Sequence, residues 1–259
     1  MKHYDVIIVG LGPTGGTLAN LLALNGFSIL ILEREKNLYA LPRAVHFDDE
    51  IMRVFQTIGI TKKFLKNTII NKGTKFVNSS GKVLLDWPRP KSITDNGWYP
   101  SYRFHQPDLE RDLRNRLKTF KKVKLMQNTE VTKIKNNKNS VDLFFKSKNK
   151  INKASSKYVI GCDGARSTTR EQMGSVLDNL GFTQKWAVVD LILKKIKINY
   201  QIEQFNTQTL KDQLHIVEML VKEDDGSLLS RTMKMKKKYY LINIFGISLN
   251  PGLAQKKLT

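Results

Sequence analysis

One cysteine occurs in 259 residues, Cys162, so no internal disulfide can form. Its place at the end of an apolar strand fits a small buried hydrophobe. No apolar run reaches the roughly eighteen residues a membrane-spanning helix needs. Met1 leads directly into an apolar strand, so no signal peptide is expected. Together these absences point to a cytoplasmic protein with no membrane partner. Acid is scarce: 23 Asp and Glu stand against 44 Lys and Arg, for a net charge of +21. Such an excess admits an anionic partner. Yet no basic motif interleaved with aromatics and no nucleic-acid fold signature accompanies it. The lysines run with Asn and Ile in KIKNNKNS and KSKNKINKASSK. These are the residues of A/T-rich codons, so coding bias accounts for the charge and no nucleic-acid partner is expected. Internal repeats are absent, and no metal site is expected.

The apolar share of 41% supports a packed core, and the length suits one large or two modest domains. Tyr4 to Val9 reads as a buried parallel strand. Pro13 to Asn25 reads as a helix with Leu18, Leu21 and Leu22 at helical spacing, stopped by Gly26. Ser28 to Leu32 is a second strand, completing a βαβ unit. Further on, Asp48 to Ile58 is helical. Ile69 to Asp86 holds two strands around Ser79-Ser80-Gly81, and residues 88–100 form a Pro- and Trp-containing loop. Pro107 to Phe120 is a helix with acid early and base late. Val123 to Met126 is a strand. Glu130 to Lys135 and Ser140 to Lys146 form a hairpin. Tyr158 to Cys162 is a strand, and Ser167 to Met173 begins a short helix.

Gly10, Gly12 and Gly15 form G-x-G-x-x-G between the first strand and the first helix. The first glycine permits the tight turn, the second lets backbone approach a diphosphate, and the third lets helix and strand pack closely. The turn's N–H groups and the positive end of the helix dipole suit phosphate. Gly16 adds slack and is not required by the motif. Glu33 ends the second strand, where a carboxylate accepts hydrogen bonds from an adenosine ribose and repels a 2′-phosphate. A second glycine turn, Asp163-Gly164, follows the apolar YVIGC, with Arg166 and Arg170 behind it. Gly164 can take positive φ and bring this turn close to a cofactor. The alternative for Asp163-Gly164 is an ordinary β-turn.

With these motifs in place, the sequence resembles the class A flavoprotein monooxygenases, the aromatic hydroxylases related to para-hydroxybenzoate hydroxylase. It is most similar to their 3-(3-hydroxyphenyl)propionate hydroxylase branch. The matching stretches are DVIIVGLGPTGGTLANLLALNG, ILERE, PRAVHFDDEIMRVFQTIGI, RFHQPDLERDL, VIGCDGARSTTR and WAVVDL, within about residues 4 to 195. The resemblance implies an α/β fold: a Rossmann-like FAD-binding domain of the GR2 flavoprotein type with an interleaved, incomplete β-sheet substrate domain. The FAD-binding domain would comprise 1–75 and 101–178, the partial substrate domain 76–100 and 179–205, and 206–259 an atypical tail. The resemblance also implies FAD as cofactor, NADH or NADPH as transient electron donor, and a small aromatic substrate with O2. Reduced flavin would deliver one oxygen atom of O2 to a phenol ring, ortho to its hydroxyl, in a site that excludes water.

The implied cofactor-binding residues are Gly10, Gly12, Pro13, Thr14, Gly15, Glu33, Arg34, Arg43, Gln106, Asp163, Gly164 and Arg166. Gly10, Gly12 and Gly15 would carry the diphosphate and Glu33 the adenosine ribose. Arg43 would reach the phosphates or the Asp-Gly turn, or else be a solvated loop arginine. Gln106 would contact the flavin side from the turn before a helix, or else cap that helix. Asp163 would bridge cofactor and protein, with Arg166 supporting the turn. No residue is assigned a catalytic role. His46 with Asp48 and Asp49 suggests acid–base chemistry by composition, but the resemblance implies positioning near the flavin. Trp98, Tyr99 and Tyr102 either line an aromatic pocket or anchor a loop.

The sequence departs from the family pattern in two ways. The Gly-Asp-Ala-Ala-His segment that closes on the flavin is missing, and so are the later substrate-domain strands. No separate nicotinamide-binding Rossmann unit is visible, as the family leads one to expect. Two alternatives stay open: a non-catalytic FAD- or nucleotide-binding remnant, and another flavin oxidoreductase with the same front end. For a halogenase, Trp186 lacks the Trp-x-Trp-x-Ile-Pro signature. Back-translating Thr207 to Leu228 and shifting by one base permits DPKRPTTY and then GKRRRWEF, strings that resemble the family after WAVVDL. A one-base frame slip near residue 206 is therefore expected. Resequencing the locus checks it, and an intact frame with no family sequence in the alternative frame would refute it.

Overall fold

The computed structural model describes residues 3–39, 44–77, 82–180, 187–191 and 242–247. The chain divides into two compact units, Met1–Asn71 with Lys91–Leu180, and Lys72–Pro90 with Gly181–Thr259.

Along the chain, β1 (His3–Val9) is an apolar run buried on both faces over most of its length. It leads into α1 (Pro13–Leu24), which opens with proline, whose fixed φ and missing N–H suit a first helical turn. Gly26, at φ +79°, turns the chain out of α1. All four residues of β2 (Ile29–Leu32) are buried. A short strand, β3 (His46–Asp48), leads into the helix expected over Asp48 to Ile58, which is α2 (Asp49–Ile58) with Asp48 as its N-cap. The Asp48 carboxylate caps α2 by accepting the Ile51 N–H at 2.9 Å. Then come α3 (Thr61–Phe64), β4 (Thr68–Ile70), β5 (Gly73–Val77), β6 (Val83–Pro88) and β7 (Ser101–Phe104). Next is α4 (Gln106–Leu117), with Pro107 in its first turn. The remaining elements are β8 (Val123–Met126), β9 (Thr129–Asn136), β10 (Val141–Ser147), β11 (Lys150–Gly161), α5 (Thr168–Gln172), β12 (Ala187–Leu191) and β13 (Ile242–Ile247).

In the first unit six strands lie in the order β8-β2-β1-β11-β10-β9. The β8, β2, β1 and β11 contacts are parallel, whereas β11-β10-β9 is an antiparallel meander. This is the α/β architecture expected, with one difference. The strand expected to span Tyr158 to Cys162 starts at Lys150. Its first part pairs with β10, from Ser147↔Lys150 to Val141↔Ser156. Its last part pairs with β1, ending at Val9↔Gly161. The polar stretch KINKASSK carries little apolar alternation, so backbone pairing with its neighbours, rather than side-chain burial, defines it as strand.

One core layer packs Val6, Ile8, Ile29 and Ile31 against Ala19, Ala23 and Leu117. The opposite face joins Ile7, Leu30 and Leu32 to Leu143 and Phe145. Each fully buried Ile or Leu contributes on the order of 1.5–3 kcal/mol. A third cluster is aromatic: Phe47 stacks on Tyr102 at 5.4 Å and meets Phe55 and Phe104 edge-on. It binds the small sheet β3-β7-β4 to α2 and α3. Tyr102 is thus a core anchor. Trp98 donates to Gln56 Oε1 at 3.1 Å, and Tyr99 packs against the same cluster. The loop carrying them is tied to α2 through Asp49, which accepts Thr94 Oγ1 at 2.5 Å and Asn96 Nδ2 at 2.8 Å. Those two bonds hold the Asp49 carboxyl below the usual carboxylate range.

In the second unit β5 and β6 form an antiparallel ribbon and β12 pairs with β13. The turn expected at Ser79 to Gly81 lies outside the described residues, as does the expected atypical tail apart from β13. Among the described residues no helix is long and apolar enough to cross a membrane.

The start of β1 is fastened to the start of β2 by Asp5. Its carboxylate accepts the Ser28 N–H at 2.9 Å, Ser28 Oγ at 2.7 Å and Lys157 Nζ at 3.0 Å. The Ser28 bonds first, then Lys157, push the Asp5 carboxyl far below its ordinary value. A depressed folded-state value stabilises the fold above the unfolded-state value and is lost as pH falls through the folded one. Asp5→Asn should therefore lower Tm most near neutrality, and the gap from the parent should narrow below about pH 4. Thermal melts across that range check it; a pH-independent gap would refute the assignment.

Candidate cofactor site

Three strand ends converge at the glycine turn. The Gly10 N–H donates to Leu32 O at 2.8 Å, and the Cys162 N–H donates to Val9 O at 2.7 Å. Gly10 adopts φ +95°, and a Cβ there would lie 2.4 Å from Cys162 O and 2.9 Å from Asp163 Cα. The two glycine-containing turns found in the sequence are therefore in backbone contact, although about 150 residues apart along the chain. They meet at the carboxyl ends of β1 and β11. Chain order reverses there, because β2 and β8 lie to one side of β1 and β11 to the other. That crevice is where open α/β sheets bind ligands.

Gly12 is the N-cap of α1 and makes no side-chain cap bond, and Pro13 and Thr14 follow it in the first turn. The helical ladder starts only with the Gly16 N–H, which reaches Gly12 O at 2.8 Å. The N–H groups of Thr14 and Gly15 precede it and have no intrahelical acceptor, at the positive end of the helix dipole. Open space surrounds Gly12, where a Cβ would meet nothing within 4 Å. The chain's own packing thus gives no reason for glycine at this position, whereas close approach of a diphosphate does. On this geometry the residues fit a dinucleotide.

Gly15 is confined by the chain itself: a Cβ would lie 2.1 Å from Gly10 O and 3.2 Å from Cys162 Cβ. Gly16, optional in the motif, is also buried, and a Cβ there would come within 3.2 Å of Leu113 Cδ1. It seats α1 on α4. Asn20 reinforces that contact by donating to Gly16 O at 2.8 Å and Leu113 O at 3.1 Å.

Glu33 is buried at the end of β2. One carboxylate oxygen accepts the Leu11 N–H at 2.6 Å and the other the Glu35 N–H at 2.8 Å. Besides the expected ribose position, the carboxylate clamps the glycine turn, and each oxygen keeps acceptor capacity. Arg34 is exposed and pairs with Glu35 at 3.4 Å. Arg43 lies outside the described residues.

The Asp163 side chain folds back into its own turn. Its oxygens accept Ser167 Oγ at 2.6 Å and the Thr169 N–H at 3.0 Å. Ser167 Oγ in turn accepts the Arg170 N–H at 2.9 Å and caps α5. Gly164 takes φ +77°. Ser167 and Thr169 support this turn, with Arg170 donating to Ala165 O at 2.9 Å; Arg166 is exposed beside it. Cys162 is half-buried, and burial, then the Asp163 charge, push its thiol up.

Gln106 is the first residue of α4. It accepts the Ala44 N–H at 2.8 Å and donates to Glu110 Oε1 at 2.8 Å. Four residues further on, Arg114 pairs with Glu110 at 3.5 Å and donates to Leu11 O at 3.3 Å. The sequence reading missed Glu110 and Arg114; their i, i+4 spacing from Gln106 was the available signal. His46 is exposed on β3, and Asp48 and Asp49 are engaged as a helix cap and a loop tether. Among the described residues no group of three or more His, Cys, Asp or Glu could hold a metal ion.

The glycines separate two kinds of constraint. Gly10→Ala should destabilise the fold by about 2–4 kcal/mol, through backbone collision at positive φ. Gly12→Ala should change stability by no more than about 0.5 kcal/mol but weaken dinucleotide binding at least tenfold. Thermal melts with and without ligand check both; equal loss of stability in the two variants would refute the distinction.

Comparison with known proteins places this geometry in a family. The family described as FAD binding domain matches residues 3–249. A protein named probable NADH-specific resorcinol 4-hydroxylase, from Rhodococcus jostii, is 37% identical over 199 residues, covering 75% of this chain and 37% of that protein. The 3-(3-hydroxy-phenyl)propionate/3-hydroxycinnamic acid hydroxylase of Mycolicibacterium smegmatis is 34% identical over 187 residues, covering 72% of this chain and 33% of the relative. The chain thus spans about a third of the length of these curated relatives. Among solved structures, the p-nitrophenol 4-monooxygenase of Pseudomonas putida superposes with a TM-score of 0.60 at 21% identity, over 74% of this chain and 46% of its own. The anhydrotetracycline hydroxylase of Streptomyces rimosus does so with a TM-score of 0.58 at 26% identity, over 67% and 34%. With residues 3–249 of 259 matched, the chain belongs to the FAD binding domain family.

Proposed function

We propose that this chain is the FAD-binding part of a monooxygenase that hydroxylates a small phenolic or aromatic carboxylic acid, using NADH or NADPH and O2. The observation that carries this reading is the backbone contact of Gly10 with the Cys162–Asp163 turn, beside a helix terminus left open at Gly12. The residues that would hold the cofactor are Gly10, Gly12, Pro13, Thr14 and Gly15 at the diphosphate and Glu33 at the adenosine ribose. Gly164 keeps the second turn close to the first. Arg34, Arg43, Gln106, Asp163 and Arg166 complete the proposed set. Asp163 acts through the shape of its turn, since Ser167 and Thr169 occupy its carboxylate. FAD, when bound, supplies the redox and oxygen chemistry. The protein contributes orientation: N–H groups aimed at the diphosphate and a carboxylate that clamps the turn carrying them.

The names of two relatives support a phenolic substrate: resorcinol in one, hydroxyphenylpropionate and hydroxycinnamate in the other. NADH is the donor named for the first of these. Glu33 agrees with a plain ribose at this pocket rather than a 2′-phosphate.

Purified chain mixed with FAD should quench flavin fluorescence with a micromolar or tighter Kd. NADH consumption should rise when resorcinol or 3-hydroxyphenylpropionate is added. Quenching without phenol-stimulated NADH oxidation would overturn hydroxylation by this chain and leave cofactor binding. Absence of quenching would overturn the cofactor reading itself.

A further inference from the structure

α4 carries a continuous buried polar stripe, of which Glu110 and Arg114 are required by no cofactor contact assigned above. Gln106, Glu110 and Arg114 fall four residues apart on one helix face. Their side chains connect end to end: Ala44 N–H to Gln106 Oε1 at 2.8 Å, Gln106 Nε2 to Glu110 Oε1 at 2.8 Å, Glu110 Oε2 to Arg114 Nη2 at 3.5 Å, and Arg114 Nη2 to Leu11 O at 3.3 Å. Leu11 lies inside the glycine turn, between Gly10 and Gly12, and its own N–H is held by Glu33. Ala44 leads into β3 and the aromatic cluster. The stripe therefore spans two helical turns, about 12 Å, and joins the glycine turn to the segment entering β3.

Burying such groups is costly. The Glu110 and Arg114 side chains are only 5% and 11% exposed, and Arg114 Nε is buried without a hydrogen-bond partner. An apolar pair would usually pack there at no loss of stability. A buried unsatisfied donor calls for a reason, and positioning the guanidinium on the Leu11 carbonyl supplies one.

We propose that Gln106, Glu110 and Arg114 form a positioning relay that links the glycine turn at Leu11 to the segment entering β3 at Ala44, so that nucleotide occupancy at one end tightens the other. The relay rests on the cofactor reading above for the identity of the ligand, but the mechanical link exists in the chain alone. Glu110 is its pivot, because its two oxygens hold one partner in each direction. None of the three needs to touch the reacting atoms.

The test reads exchange of the Ala44 amide by NMR in the full chain, without ligand and with FAD, alongside FAD titration by flavin fluorescence. In Arg114→Met, Ala44 exchange should rise at least fivefold and FAD affinity should fall about five- to tenfold, the lower range of measured site-to-site couplings. Arg114→Lys, which retains the charge, should restore part of both. Glu110→Gln keeps the shape and carries the same test should Arg114→Met fail to fold. A role confined to local helix packing would leave Ala44 exchange at the parental rate. Unchanged exchange in folded Arg114→Met or Glu110→Gln, judged by circular dichroism, overturns the relay. Faster exchange in the variants of a chain whose parent fails to bind FAD supports the link and overturns the cofactor reading instead.

Discussion

The close approach of Gly10 to the Cys162 carbonyl sets the geometry on which the rest of the site depends. At 2.4 Å from a would-be Cβ, no side chain fits between the ends of β1 and β11. Parallel pairing of these strands, in register from His3↔Ser155 to Val9↔Gly161, delivers the two turns to the same crevice. The βαβ unit and the Asp-Gly turn would otherwise be separate features of a long chain. Their apposition brings the open terminus of α1 and the second turn to one crevice.

Around that contact, several side chains hold backbone in place rather than reaching outward. Glu33 clamps the Leu11 N–H, Asp163 closes its own turn through Ser167 and Thr169, and Asn20 fixes α1 on α4. Buried polar groups of this kind add less to stability than they add to the definition of one backbone arrangement. A nucleotide site benefits from such definition, because ordering costs met in the folded protein are not met again on binding. The polar stripe of α4 extends the same logic from the glycine turn to Ala44.

Much of this was legible in residue patterns. Apolar runs ending in glycine located β1, and the proline at the start of α1 and Gly26 after it located the helix. The hairpin of β9 and β10 followed from its alternation. What escaped the pattern shares one cause. Short strands such as β3 and β7 are defined by partners distant in sequence, with Phe47 opposite Tyr102. The polar first half of β11 is strand because β10 pairs with it. Gly16 looked optional because its neighbour, Leu113, lies nearly a hundred residues away.

Local chemistry alone determined the glycine turn, the helix that follows it, the acidic end of β2 and the second turn at Asp163-Gly164, because each depends on backbone freedom and apolar spacing within a few residues. Tertiary structure decided what those pieces do together. It turned Glu33 into a clamp on Leu11, set Asn20 on Leu113 and brought Arg114 to the Leu11 carbonyl. Hydrogen-bond partners separated by tens of residues are chosen by packing, and packing is a property of the folded chain rather than of any segment in it.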